Sequence, residues 1–148
     1  MKGVYSNRLN FNLKGPFFII LLLAFHLISF RSFAQQTNWV APKETDNVKN
    51  PLAGTNNTLA EARALYVANC GPCHGDKGRG DGPAAPGLNP RPADHTSALV
   101  QNETDGTLFW KLSEGRNPMP GYKKIFSEQQ RWELINFIRT LAKSPKKK

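Results

Sequence analysis

The sequence predicts a small all-α domain. Two boxes of the form Ser/Thr-x-x-Glu/Gln, Thr58 with Glu61 and Ser127 with Gln130, mark helix starts, since each side chain of such a box bonds the other residue's backbone N–H. After each box, apolar residues recur at i, i+3 and i+4, and nowhere do they alternate as a half-buried strand requires. Stretches rich in glycine and proline separate these segments, and neither a helix interior nor a central strand tolerates such composition.

In chain order, Lys2, Arg8 and Lys14 flank the start of an almost unbroken apolar run over residues 17–30, and Ser32-Phe33-Ala34 has the small-x-small form of an export cleavage site. The run is 14 residues long, short of the roughly 20 that span a bilayer. Residues 1–34 therefore read as a cleaved export signal or, if uncleaved, as an N-terminal membrane anchor. Both readings place the remainder in a periplasm or otherwise outside the cytoplasmic membrane. Residues 35–57 are polar, contain Pro42, Pro51 and Gly54, and keep no apolar period, which reads as a linker or an arm ordered in part.

The domain is expected over residues 58–143. Its first helix sets Leu59, Ala62, Leu65, Tyr66 and Asn69 on one face. Residues 75–97 form a long Gly/Pro loop, a kind of segment that in a compact domain is functional or disordered. A short helix follows over 105–114, with Leu108, Phe109 and Leu112 on one side and Gly115 as its stop. Beyond a second loop, the last helix starts at Ser127 and buries Trp132, Ile135, Ile138, Leu141 and Ala142 before Ser144-Pro145 ends it. Residues 144–148 form a basic tail.

Four of the basic residues, Lys2, Arg8, Lys14 and Arg31, lie in the export segment with no acid beside them, so the formal charge of +9 falls to +5 for the rest. A moderate positive surface suits acidic protein patches or anionic head groups and raises association rates. No basic face with stacking aromatics and no reader motif is present, which excludes a nucleic-acid binder.

Both cysteines of the chain stand in Cys70-Gly71-Pro72-Cys73-His74. C-x-x-C-H is a c-type haem attachment site: two thiols add to the vinyl groups of one porphyrin, and the adjacent imidazole reaches its iron. A thioredoxin-like dithiol would follow a β-strand, whereas helical spacing precedes Cys70. A zinc site needs about four N/S ligands, and only His95 remains as an extra candidate. One haem c, bound through Cys70 and Cys73, also answers a packing problem. A domain of this size is marginal on burial alone, and three short helices with long loops make a poor core without a flat apolar body at the centre.

Met119 is the only methionine beyond the start residue and lies between Pro118 and Pro120, which fix two φ angles and stiffen its loop. A thioether suits a reduced metal and raises the potential of a haem, so Met119 is the expected sixth ligand opposite His74. His95 is the competing ligand; the plainer reading makes it a loop residue at the pocket edge. Trp110, Tyr122 and Phe126 read as core or pocket lining. Lys77, Arg79, Lys111, Arg116, Lys123 and Lys124 flank the motif-bearing segments and together would steer an acidic redox partner.

With Tyr66 four residues before Cys70, then C-x-x-C-H, Gly78-Arg79-Gly80-Asp81-Gly82-Pro83-Ala84-Ala85, Leu88-Asn89-Pro90-Arg91-Pro92-Ala93-Asp94, Asn117-Pro118-Met119-Pro120-Gly121-Tyr122 and an aromatic last helix, residues 58–142 resemble a class I mono-haem cytochrome c. The resemblance implies a small cytochrome c fold, three to four short helices and long loops wrapped around one covalent haem. It implies that the first and last helices cross near Tyr66 and Trp132. It also implies that a loop proline carbonyl, from Pro86 or Pro92, orients His74. Position 95 departs from the family, where an apolar residue is more usual. The function implied is an extracytoplasmic electron carrier, not an enzyme, working in a respiratory chain. The alternatives are a cytochrome subunit of a larger dehydrogenase or oxidase complex, and a peroxidase-type haem enzyme with His95 as its distal acid/base.

Overall fold

Residues 39–142 are described in the computed structural model, and the export segment and basic tail expected at 1–34 and 144–148 lie outside them. Five helices occur among the described residues: α1 (Leu59–Asn69), α2 (Gly71–His74), α3 (Ala98–Gln101), α4 (Asp105–Glu114) and α5 (Glu128–Thr140), with 3₁₀ turns at Lys43–Asn47 and Ala85–Gly87. The all-α class holds. None of these helices is long and apolar enough to cross a membrane.

The helices that the sequence marks most clearly form where expected. α5 carries its complete capping box, with Ser127 Oγ accepting from the Gln130 N–H at 3.1 Å and Gln130 Oε1 accepting from the Ser127 N–H at 2.9 Å. α4 has its expected bounds, is capped by Thr104 and stops at Gly115 in the left-handed region, φ 69°. The Thr58 box does not form. Thr58 sits at φ −109°, ψ 10° instead of the extended conformation a capping side chain needs, and its hydroxyl makes no cap bond. α3 is a single turn between the expected loop over 75–97 and α4, where no element was expected, and is capped by Ser97.

α1 packs across α5, and α4 packs on α5's other flank. Tyr66, Leu134 and Ile135 are fully buried between them, with Ala62, Leu108, Leu112, Trp132, Phe137 and Ile138. Asn69 and Ala142, expected on buried faces, are exposed. Tyr66 does not meet Trp132. Its ring lies 5.0 Å from Phe137, while Trp132 stacks on Phe109 at 3.8 Å. Residues 132 and 137 are separated by about 140° around a helix of 3.6 residues per turn, so they face different neighbours.

The polar stretch before Thr58 is a packed arm, and residue 57 marks no seam in the structure. Thr45 is buried with its hydroxyl 3.2 Å from that of Thr107. Asn50 donates to Asp105 at 2.9 Å and to Asn136 at 2.8 Å, and Asn136 returns a bond to the Leu52 carbonyl at 2.7 Å. Polar residues here bond helices in place of water. Arg139 gathers the turn between α3 and α4 by donating to Asp105, the Gln101 carbonyl and the Glu103 carbonyl.

The arm approaches α4 at Gly106, where a Cβ would run into the Thr45 and Val48 carbonyls. Gly106→Ala should therefore cost about 1–3 kcal/mol by overpacking. The loss should appear as a lowered urea midpoint and as new protease cleavage within 39–57.

Candidate functional site

α1 ends at Cys70, which opens the single turn α2. The Cys73 and His74 amides both donate to the Cys70 carbonyl, at 3.1 and 2.8 Å, so Cys70, Cys73 and His74 occupy one helical turn. Positions i, i+3 and i+4 lie on one helix face. The carbonyls left unpaired where the turn stops are met by the glycine-rich loop folding back. Gly80 N–H donates to His74, Gly82 N–H to Cys73 and Ala84 N–H to Pro72, at 2.8, 3.2 and 2.9 Å. Gly82 passes so close that a Cβ would strike the Pro72 and Gly71 carbonyls. That approach is the physical reason for glycine in the 78–83 stretch.

This turn faces a cavity of about 200 Å³, where a single water needs roughly 10–15 Å³. Cys70, Cys73, His74 and Met119 all line it, together with Leu88, Val100, Leu108, Leu112, Tyr122 and Ile138. Arg91, Lys111 and Arg116 stand among the lining residues as cations. Both thiols are free. Burial pushes the Cys70 thiol up to about 12, with the neighbouring Cys73 adding to the shift. A catalytic dithiol shows the opposite, a depressed value. Among the described residues no group of three His, Cys, Asp or Glu side chains could hold a metal ion, which removes the zinc reading.

His74 is buried, and burial lowers its proton affinity, opposed by a hydrogen bond to backbone. That bond runs from Nδ1 to the Ala93 carbonyl at 3.0 Å. A carbonyl only accepts, so Nδ1 carries the proton and Nε2 keeps its lone pair. The orienting carbonyl belongs to Ala93 and not to Pro86 or Pro92.

Met119 reaches the cavity from the loop after α4. Its N–H and carbonyl exchange bonds with the carbonyl and N–H of Arg116, at 2.8 and 3.0 Å. Gly115 and the Gly121 backbone touch at the base of this loop, with no room for a Cβ on either. The chain then returns along α4, Tyr122 N–H donating to Leu112 and Lys123 N–H to Ser113. Tyr122 also donates its hydroxyl to the Asn69 carbonyl at 3.1 Å, joining the loop to the end of α1. Burial raises Tyr122 to about 12, so it stays a donor at neutral pH.

His95 lines the same cavity as His74. Its ring stacks on that of His74, centroids 4.1 Å apart and planes 19° from parallel. A ring lying face to face beside His74 shares its flank of the cavity. Its Nδ1 is 2.8 Å from the Tyr66 hydroxyl. Of the six flanking cations, Lys111 pairs with Glu103 and Lys123 with Glu114. Arg116 lies 5.0 Å over the ring of Trp39, a residue that sequence reasoning left in the linker. The Ala93 carbonyl and Trp39 escaped that reading, and Tyr66 was read only as a packing residue, because a backbone carbonyl has no sequence signature and the other two meet the site only through tertiary packing.

The set fits a haem. A mainly apolar slot far larger than water faces two free thiols on one turn, a neutral imidazole with an open lone pair, and a thioether. No curated protein matches the chain. The family model described as "Cytochrome C oxidase, cbb3-type, subunit III" matches residues 57–138. Among solved structures, the chain is similar to one in the Kuenenia stuttgartiensis reducing HAO-like protein complex Kustc0457/Kustc0458, at 28% identity and TM-score 0.55, over 65% of this chain and 50% of that one. The chain thus spans about half the length of that relative. It is also similar to the KustC0563 c-type cytochrome, at 25% identity and TM-score 0.49, over 55% of this chain and 98% of that one.

Gly115→Ala should destabilise the fold by more than about 1 kcal/mol, since alanine is strained at positive φ and would also part the base of the Met119 loop. Urea unfolding of the wild type and variant measures the difference.

Proposed function

The chain belongs to the cytochrome c family whose model is described as Cytochrome C oxidase, cbb3-type, subunit III, and from that premise we propose that it carries single electrons outside the cytoplasmic membrane. Family membership brings a haem c cofactor and electron transfer. The finer assignment goes beyond that membership. Cys70 and Cys73 would hold one haem through two thioethers, and His74 Nε2 and the Met119 sulfur would be its axial donors. The observation that carries this reading is the convergence of all four side chains on one cavity, from α2 and from the loop after α4.

When bound, the haem supplies a one-electron couple. The chain's own residues do the rest. Ala93 holds the His74 ring so that Nε2 is the free nitrogen and keeps it basic, as orienting partners of ligating histidines do. The paired backbone bonds of Arg116 and Met119 hold the thioether in a stiff loop, so ligation need not change between oxidation states. Leu108, Leu112, Val100 and Ile138 give the slot an apolar lining. The exposed side chains of Lys77, Arg79 and Lys124 add positive surface that would suit an acidic redox partner. The basic, apolar and small-residue segment at the N-terminus supports export and a periplasmic or membrane-anchored place in a respiratory chain. The peroxidase alternative loses its distal candidate, because His95 lies beside His74.

A second reading, a cytochrome subunit of a larger redox complex, is favoured by the family's description and by the complex to which the Kuenenia relative belongs. Purification at a fixed ratio with a partner supports it; a monomer that exchanges freely between partners supports the shuttle.

Met119→Ala should keep the haem attached and lower the midpoint potential by a sizeable part of the roughly 0.8 V over which axial ligation sets haem potentials. It should also admit cyanide rapidly and remove the weak red-edge absorption of the oxidised protein. An unchanged potential and spectrum would show that Met119 is not a ligand.

A further inference from the structure

His95 is a second imidazole lining the slot beside His74, and nothing in the proposed electron-carrier reading uses it. Its backbone is held on both sides: its N–H donates to the Gly78 carbonyl at 2.6 Å, and its carbonyl accepts from Gln101 Nε2 at 2.6 Å. Gln101 also donates to the Ile138 carbonyl at 2.9 Å, which ties this point to α5. A Cβ on Gly78 would meet Leu141, the Cβ of His95 and the Tyr66 hydroxyl, so this glycine lets the loop pack closely behind His95. The Tyr66 hydroxyl lies 2.8 Å from Nδ1. Tyr66 itself is fully buried and packed at 5.0 Å on Phe137. The ring is therefore fixed from behind, through its backbone, its Cβ and one nitrogen, before it touches His74.

The contact with His74 supplies what a single hydrogen bond does not. The Nδ1 bond to Ala93 fixes one direction of the His74 ring but leaves rotation about that direction open. A parallel ring at 4.1 Å and 19° closes it, because turning His74 out of plane would drive its edge into His95. We infer that His95, clamped by Tyr66, is a positioning residue that sets the plane of the His74 imidazole, and so its angle on the group His74 binds. The inference rests on the reading of His74 as an axial ligand. It also accounts for the departure at this position. An aliphatic side chain could fill the volume, but it offers no flat face and no acceptor or donor for the buried Tyr66 hydroxyl.

The test is proton NMR of the oxidised holoprotein, where the hyperfine shifts of the four haem methyl groups report the axial imidazole plane and not stability. His95→Leu should rearrange the order and spread of these shifts while the haem stays attached. His95→Phe keeps a flat face but loses the bond to Tyr66, and should displace the pattern by less than His95→Leu. Tyr66→Phe keeps the packing but releases the clamp, and should move the pattern in the direction of His95→Leu by a smaller amount. A wild-type pattern in His95→Leu, or equal displacement in the Leu and Phe variants, overturns the inference. If His95→Leu yields no holoprotein, a wild-type pattern in Tyr66→Phe overturns it instead. A wild type that attaches no haem in cells competent for cytochrome maturation, or whose His74→Ala variant keeps its low-spin spectrum, fails the underlying reading and takes this inference with it. A haem-bearing wild type with an unmoved His95→Leu pattern refutes the inference alone.

Discussion

One helical turn, from Cys70 to His74, must end in the right place with three side chains aimed at a slot that no side chain fills. A turn this short cannot satisfy its own last carbonyls. The carbonyls of Pro72, Cys73 and His74 are met by the amides of Ala84, Gly82 and Gly80, and that ladder forms only if the returning chain can come within contact distance of the turn. Glycine at 82 allows the approach, and any Cβ there would prevent it. The loop is thus the second half of the motif. The slot follows from the same constraint. α1 and α4 both pack on α5, while the turn at the end of α1 stands against an open slot, and a chain of this size cannot leave a large apolar cavity bare without loss of stability. A haem c cofactor, which the family brings, completes a core that the polypeptide alone leaves open.

Local signals were legible, and tertiary ones were not. Gly115 stops α4 and Ser127 starts α5 because each acts within a few residues of itself. Thr58 has the right partner in Glu61 and still forms no box, since the conformation of a capping residue is set by the chain that enters it, here the turn over residues 51–58. The arm over 39–57 reads as a linker by composition, yet Thr45 and Asn50 are held in place by side chains on α4 and α5. Hydrogen-bonded polar residues leave no apolar period to read. The four residues proposed as the site could be named from sequence because the attachment motif is contiguous and Met119 is the one methionine within the domain. Ala93, whose carbonyl orients His74, has an alanine's side chain and a backbone group every residue shares.

The two walls of the slot are anchored by separate means, and that separation has a functional consequence on the proposed assignment. The wall carrying Cys70, Cys73 and His74 is held by the ladder to residues 80–84, by Ala93 and by the His95–Tyr66 pair, all of which run back to α1 and α5. The wall carrying Met119 is held by its own exchange with Arg116, by the meeting of Gly115 with Gly121 and by the return of Tyr122 and Lys123 along α4. The Tyr122 hydroxyl on Asn69 joins the two directly. Attachment of the cofactor then depends on one wall and the strength of the sulfur donor on the other. A protein so arranged can change its potential through residues 115–122 while keeping its haem, and can change the imidazole plane through position 95 while keeping its sulfur.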